Sequence, residues 1–243
     1  MFELKIGHDL TVPSTLFSRG VLLTGRAGQG KSTTFIDVAL QAITHGQRGL
    51  IIDPYGDLAN AIREKCVSVS SKKQVAFFGI EATRTEIGKA LKAGKMAVVA
   101  ATWLTDGERR TKEKMQKFFK STFGLLQKGD WFIMDECFGF TDDRIFNMFL
   151  DFRKKKLHAL FCDQGISRLS EKERRIFCKA VSNYLVYKCG RYDALGLVKS
   201  ISAANRKTGI SPGKIANVEA FNFLSLIEGS LSNHHGIWPI RKI

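Results

Sequence analysis

The sequence predicts an α/β fold in which a mostly parallel central sheet is flanked by helices, with small strands at its periphery. Three observations carry that prediction. The apolar run VLLT at residues 21–24 passes through the glycine-rich stretch GRAGQGKST and directly into a segment with helical periodicity. Further apolar runs, at residues 48–53, 96–101, 131–134 and 157–162, alternate with amphipathic stretches of helix length, as in a parallel sheet buried on both faces. Two runs lead into carboxylates, Asp53 and the adjacent Asp135 and Glu136, and open α/β sheets place their chemistry at such strand exits.

The glycine-rich stretch is the most specific feature. Gly25, Gly30, Lys31 and Ser32 fill the pattern G-x-x-x-x-G-K-[ST], and Gly28 adds a permissive position. Glycines let consecutive backbone N–H groups turn inward around a polyphosphate. The amides that open the following helix, Lys31 through Thr33, add unpaired donors and a partial positive charge. The Lys31 ammonium has the reach for the β and γ phosphates, and the Ser32 hydroxyl is a ligand type for Mg²⁺. ATP and Mg²⁺ are the cofactors this stretch implies.

The other elements follow in order. FELKI and DLTVP, within residues 1–18, suggest a peripheral strand or hairpin. A helix over 31–45 is closed by Gly46, the strand over 48–53 ends in the sharp turn DPYGD, and Asp57 there is either a helix cap or a group on the phosphate rim. A helix over 58–65 precedes a strand, basic turn and strand over 67–79, and a helix over 83–92 stops before Gly94. After the 96–101 strand, the Gly-containing loop TDGERR leads into a helix over 108–126, whose Phe118, Phe119 and Phe123 share an apolar face and read as core. The basic run over 153–156 is either a solvated helix end or a DNA-facing patch. EKERR is helical, SNYLVYKCG a strand, 193–205 a helix and 207–214 a loop, while VEAFNFLSLIEG and GIWPIR are peripheral strands. His234 and His235 are adjacent, which aims them apart in regular structure and argues against a shared metal.

Composition narrows the class. The 243 residues, 44% hydrophobic, fit one large domain over 1–243 with peripheral segments at 1–18 and 206–243. Five cysteines without C-x-x-C spacing read as reduced core thiols. No apolar segment approaches the roughly 18 residues that span a bilayer, and residues 1–16 hold no signal-peptide core, so a soluble intracellular protein is expected. The net charge of +15, from 38 Lys and Arg against 23 Asp and Glu, predicts attraction to a polyanion, most directly nucleic acid.

In a phosphate-loop sheet, a strand-end acid such as Asp135 holds the magnesium water shell, and a following acid such as Glu136 orients and activates water for attack on the γ phosphate. Gln164, at the exit of the 157–162 strand, is either a hydrogen-bonding sensor of that phosphate or water, or a polar loop residue.

LLTGRAGQGKST, IIDPYGD, WFIMDE and LFCDQG, in this order, resemble the motifs of the FtsK and HerA superfamily of RecA-like DNA-translocating ATPases, over residues 20 to about 170. The resemblance implies a RecA-like P-loop NTPase core in which Lys31 and Ser32 bind nucleotide and magnesium. Asp135 is then the magnesium-side acid, Glu136 the water activator and Gln164 the phosphate sensor. A short, basic chain without room for membrane anchors or a long helical insertion looks like the genome-packaging ATPases of membrane-containing icosahedral viruses of bacteria and archaea. These work as rings, usually hexamers, in which an arginine of one subunit approaches the neighbour's nucleotide. Arg109 and Arg110 of the TDGERR loop are the first candidates for that arginine, with Arg84 and Arg168 as rivals. The implied function is ATP-driven movement of double-stranded DNA into a preformed capsid, with capsid or membrane-vertex proteins as partners, in the host cytoplasm and at the packaging vertex. A related motor for plasmid mobilisation or cellular DNA handling is the alternative. A nucleotide-dependent switch without translocation is the alternative of another class, and Glu136 argues against a purely structural protein.

Overall fold

In the computed structural model, which describes residues 1–7, 10–67, 73–101, 103–139, 142–204, 211–218, 222–227 and 234–239, the apolar runs are strands whose successive residues face two separate cores. A hairpin of β1 (Glu3–Ile6) and β2 (Leu10–Pro13) forms its own two-stranded sheet. The main sheet follows with β3 (Val21–Thr24), β4 (Gly49–Asp53), β5 (Val75–Gly79), β6 (Met96–Ala100), β7 (Trp131–Met134), β8 (His158–Asp163), β9 (Asn183–Tyr187), β10 (Asn222–Ile227) and β11 (His234–Pro239). Its nine strands run in the order β11-β10-β9-β3-β8-β7-β4-β6-β5. From β9 to β5 every pairing is parallel, and β10 and β11 are added antiparallel at the β9 edge.

Helices cover both faces, which is why the strands read as continuous apolar runs. They are α1 (Lys31–Thr44), α2 (Asp57–Val67), α3 (Arg84–Lys92), α4 (Trp103–Thr122), α5 (Asp143–Lys155), α6 (Glu171–Ala180), α7 (Arg191–Ala204) and the short α8 (Pro212–Ala216). On β7 the split is visible residue by residue: Phe132 and Met134 join the core under α3 to α8, while Trp131 and Ile133 join the core under α1, α2 and the hairpin. Phe118, Phe119 and Phe123 are buried, and Phe119 meets the Phe132 ring edge-on at 5.4 Å. Their spacing marks a core face, and each buried ring contributes roughly 1.5–3 kcal/mol. The hairpin is pinned to α1 by Gln41, whose side chain accepts from Lys5 N at 2.9 Å and donates to Lys5 O at 2.8 Å.

Several boundaries differ from the sequence reading. The TDGERR segment is not a rim loop, because α4 already starts at Trp103 and runs for 20 residues. A glycine inside a helix costs only about 1 kcal/mol relative to alanine, and a long amphipathic helix with good helix formers absorbs that at Gly107. The strand expected to begin at residue 67 meets α2, which continues through Val67; residues 68–72 lie outside the described residues. Within the expected loop over 207–214, Ser211 caps α8 by accepting from Lys214 N at 3.3 Å, and residues 205–210 lie outside the described residues. The strand expected within VEAFNFLSLIEG is β10, which pairs antiparallel with β9 near one edge of the sheet and buries Phe223, Leu224 and Leu226. The basic run over 153–156 forms the last turn of α5 and its cap, where cations favour the helix carboxyl end. Among the described residues no helix is long and apolar enough to cross a membrane.

The centre of the sheet has one tight spot that tests the register. Gly49 opens β4 opposite Trp131, and a β-carbon there would overlap the Trp131 carbonyl oxygen and carbon. Backbone of a central strand cannot step aside as a flexible side chain can. Gly49→Ala is expected to destabilise the fold by about 3 kcal/mol, read as a lowered urea midpoint at unchanged slope.

Candidate nucleotide site

The parallel strands β3, β4, β7 and β8 all release the chain at one edge of the sheet. After β3, Gly25 turns at φ 148, and a β-carbon there would stand 2.6 Å from Tyr187 Cβ, so the turn admits only glycine. Arg26 N donates to Lys188 O at 2.9 Å, which ties the loop to the end of β9. Gly30 has a left-handed φ of 96 and caps α1 without a side chain, leaving the first helix amides to an anion. Lys31 opens that helix with its side chain buried, its Nζ donating to Arg26 O at 2.9 Å. Behind the loop, the buried Tyr187 hydroxyl donates to Thr34 Oγ1 at 2.7 Å and fixes the first turn of α1.

A cavity of about 480 Å³ opens in front of this loop. Gly28, Gly30, Lys31, Ser32 and Thr33 form one wall, and Asp53, Asp57, Asp135, Glu136 and Gln164 another. Gly25 is behind the wall and acts through the turn it makes. Tyr55, from the DPYGD turn, also lines the cavity and is 41% exposed; sequence reasoning had given it no part.

The acids are handled differently. Asp53 is buried and accepts from Tyr55 N at 3.1 Å and Ala59 N at 2.8 Å, so it does the capping work at α2 that was one reading of Asp57. Burial raises the Asp53 carboxyl, opposed by those backbone donors. Burial also raises Asp135, to about 7, with the Cys162 thiol hydrogen bond opposing and the neighbouring Glu136 and Asp53 charges adding to the rise. Asp163, which sequence reasoning missed, is raised to about 7 by burial first and then by Glu136. Its carboxylate accepts from Phe138 N and Gln164 N, both at 2.8 Å, and so clasps the exits of β7 and β8 together. Its only signal in the sequence was its place directly before Gln164.

Glu136 has a φ of 43, and among the described residues only Lys156 shares a left-handed backbone without being glycine. Such a conformation costs free energy and persists where neighbours over-determine it. Here Gly139 N donates to Glu136 O and Cys137 N donates to Cys162 O, each at 3.2 Å. The side chain is held as well, by Gln164 Nε2 donating to Oε1 at 2.9 Å. That bond exists because β7 and β8 are parallel neighbours, with Met134 opposite Phe161.

The hard oxygen donors Ser32 and Asp135 share the cavity, which suits Mg²⁺, an ion that keeps several waters and takes few protein ligands. Among the described residues no cluster of three or more acids, histidines or cysteines is arranged as a metal cage, and a water-rich ion bridging protein and phosphates needs none. Arg109 and Arg110 do not line the cavity. Both are exposed on α4, and Arg109 pairs with Glu113 at 3.1 Å. Arg84 donates to Ser121 O and joins α3 to the end of α4. Arg168 does reach a residue of the cavity wall, its Nη1 standing 3.6 Å from Glu136 Oε2.

The family model for DEAD/DEAH box helicases matches residues 7–177, a span that contains the phosphate loop, Asp135, Glu136 and Gln164. The chain belongs to the DEAD/DEAH box helicase family. Its core is that of a P-loop NTPase with a RecA-like sheet. No curated protein matches this family member in sequence. Among solved structures it is similar to the genome packaging NTPase B204 from Sulfolobus turreted icosahedral virus 2 in complex with AMP, at 17% identity and a TM-score of 0.58, over 91% of this chain and 97% of that one. It is also similar to the bacterial conjugative coupling protein TrwBΔN70, at 13% identity and 0.71, over 99% and 89%, and to VirB4 of Thermoanaerobacter pseudethanolicus, at 10% and 0.71, over 99% and 96%. These are P-loop ATPases of the FtsK and HerA type, and at such identities the likeness is one of fold.

Two substitutions separate binding from chemistry at this helicase-family site. Lys31→Ala is expected to lose most affinity for ATP, because Lys31 and its loop line the cavity that would take the phosphates. Glu136→Gln is expected to keep that affinity and lose about 10²-fold in single-turnover hydrolysis, the usual cost of removing a general base. Fluorescent-nucleotide titration and quenched-flow measurements check the pair; wild-type turnover by Glu136→Gln would withdraw Glu136 as the water activator.

Proposed function

We propose that this protein is an ATP-hydrolysing motor that translocates double-stranded DNA, and that its task is to package a viral genome into a preformed capsid. The observation that carries the reading is the Gln164 to Glu136 hydrogen bond at 2.9 Å on the wall of the phosphate-loop cavity. It joins a group suited to activate water to a group suited to sense the phosphate. A protein that only stores nucleotide has no use for that pair.

Lys31 and the loop amides hold the phosphates, and Ser32 and Asp135 would hold Mg²⁺, which supplies neutralisation of phosphate charge when bound. Glu136 orients the attacking water, and Gln164 reports the state of the γ phosphate to the connection that follows it. The +15 charge supports a polyanionic track. The B204 packaging NTPase, of which this chain covers 97%, supports packaging as the task. Double-stranded DNA, a ring of identical subunits with hexamer as the first expectation, and capsid or membrane-vertex proteins are the partners in this reading. The host cytoplasm and the packaging vertex are its location. The higher TM-score to the conjugative coupling protein TrwBΔN70 favours a second reading, a motor for plasmid mobilisation. A nucleotide switch without translocation is the reading of another class.

The deciding measurement combines DNA-stimulated ATP hydrolysis with directional displacement of a protein roadblock from an intact duplex. Binding to DNA alone decides nothing, because the charge already predicts it. Stimulated hydrolysis without displacement would move the protein to the switch class.

Gln164→Ala is expected to bind ATP normally while consuming more ATP per base pair moved. An unchanged ratio and rate would return Gln164 to the status of a loop residue. A ring also implies an arginine supplied in trans, for which Arg109 and Arg110 on α4 are proposed. Mixing each Arg→Ala protein with Lys31→Ala is expected to restore hydrolysis that neither parent shows, and an Arg→Ala protein fully active by itself removes that arginine.

A further inference from the structure

The connection between β8 and α6 brings a second group to Glu136. Arg168 Nη2 donates to Gln164 Oε1 at 3.4 Å and its Nη1 faces Glu136 Oε2 at 3.6 Å, while Gln164 Nε2 donates to Glu136 Oε1. These three side chains form a closed circuit with one consistent arrangement. A guanidinium has only donors and a carboxylate only acceptors, so the amide must turn its oxygen to Arg168 and its nitrogen to Glu136. The two oxygens of Glu136 are thereby made different. Oε1 is committed to Gln164, whereas Oε2 is buried and accepts no hydrogen bond among the described residues. At 3.6 Å the guanidinium attracts Oε2 as an ion pair without hydrogen-bonding it.

We propose that Glu136 Oε2 is the oxygen that receives the proton of the attacking water, and that Arg168 acts in cis as a positioning residue that, with Gln164, holds that oxygen ready. The inference rests on the ATPase reading above. In the step it serves, the water oxygen bonds to the γ phosphorus. The bond from that phosphorus to the β,γ-bridging oxygen breaks with its electron pair leaving on ADP, and the water proton passes to Oε2 and then to solvent.

Arg168 is itself held in place. Ser167 N donates to Asp193 Oδ1 of α7 at 3.1 Å, and a β-carbon on Gly165 would collide with the same carboxylate, so the short turn Ile166–Arg168 is packed against α7. The Arg168 side chain is 52% exposed, and losing an ion pair at such a place costs the fold little. Arg168 thus serves its own chain's carboxylate and leaves the list of arginines given to a neighbour.

Wild-type hydrolysis of ATP with Mg²⁺ is measured first and tests the ATPase reading by itself; its absence would remove both. With that activity in hand, Arg168→Ala is expected to lower kcat about tenfold or more, with the KM for ATP and the thermal midpoint close to wild type. Arg168→Lys is expected to recover part of the loss, because a cation returns without the bidentate fork. A mixture of Arg168→Ala with Lys31→Ala is expected to show no recovery, since no chain in it carries both the phosphate loop and Arg168. An unchanged kcat in Arg168→Ala, a loss confined to KM, or restored activity in the mixture would overturn the assignment.

Discussion

The parallel sheet is buried on both faces, and the rest of the molecule depends on that constraint. With helices over each face, the buried polar side chains of the parallel strands stand at the strand ends. Asp53, Asp135, Glu136, Asp163 and Gln164 therefore collect at one edge, facing the loop that follows β3. The order of strands sets who meets whom: β8 between β3 and β7 puts Gln164 within a hydrogen bond of Glu136 and Cys162 within one of Asp135. A site assembled this way needs no long loop to close over it in order for its acids to be aligned.

That gathering has an electrostatic cost, which the site spreads among different solutions. Asp53 and Asp163 are offset by backbone N–H groups, and both spend their oxygens on structure, one at the start of α2 and one across the β7 and β8 exits. Asp135 has a thiol donor and stays raised to about 7. An acid so placed is stabilised when a cation arrives, because opposite charge favours the ionised form. The burial that raises Asp135 is thus also what a cation in the cavity would offset.

Much of this was legible in the sequence because it is local. The loop from Gly25 to Ser32 is a contiguous pattern, and the apolar runs at β3, β4, β6, β7 and β8 carry their own strand signal. Glu136 and Gln164 could be singled out because each follows such a run. Other features depend on partners distant in sequence. Asp163 accepts from Phe138, Ser167 leans on Asp193, and Gly49 meets Trp131, none of which any window of neighbouring residues contains. The start of α4 was misplaced for a different reason. TDGERR has the composition of a turn, and the helix overrides it through the amphipathic face that continues to Phe118 and Phe119. That misplacement put Arg109 and Arg110 in a loop, whereas both stand on α4.

The two halves of the site are built by different means. The half on the loop after β3 is largely backbone: glycine turns, the helix amides, and the Arg26 to Lys188 bond that fastens the loop to β9. Its geometry is inherited from the sheet, so most side-chain substitutions leave it standing. The half at the exits of β7 and β8 is largely side chain against side chain, with Glu136, Gln164 and Arg168 holding one another beside a strained backbone. Such a network responds to whatever shifts the connection between β8 and α6, and that connection rests on α7 outside the cavity. In the ATPase reading proposed above, binding is anchored to the rigid sheet and hydrolysis to a segment that the rest of the chain can reach, a division suited to a protein whose hydrolysis must answer to something other than its nucleotide.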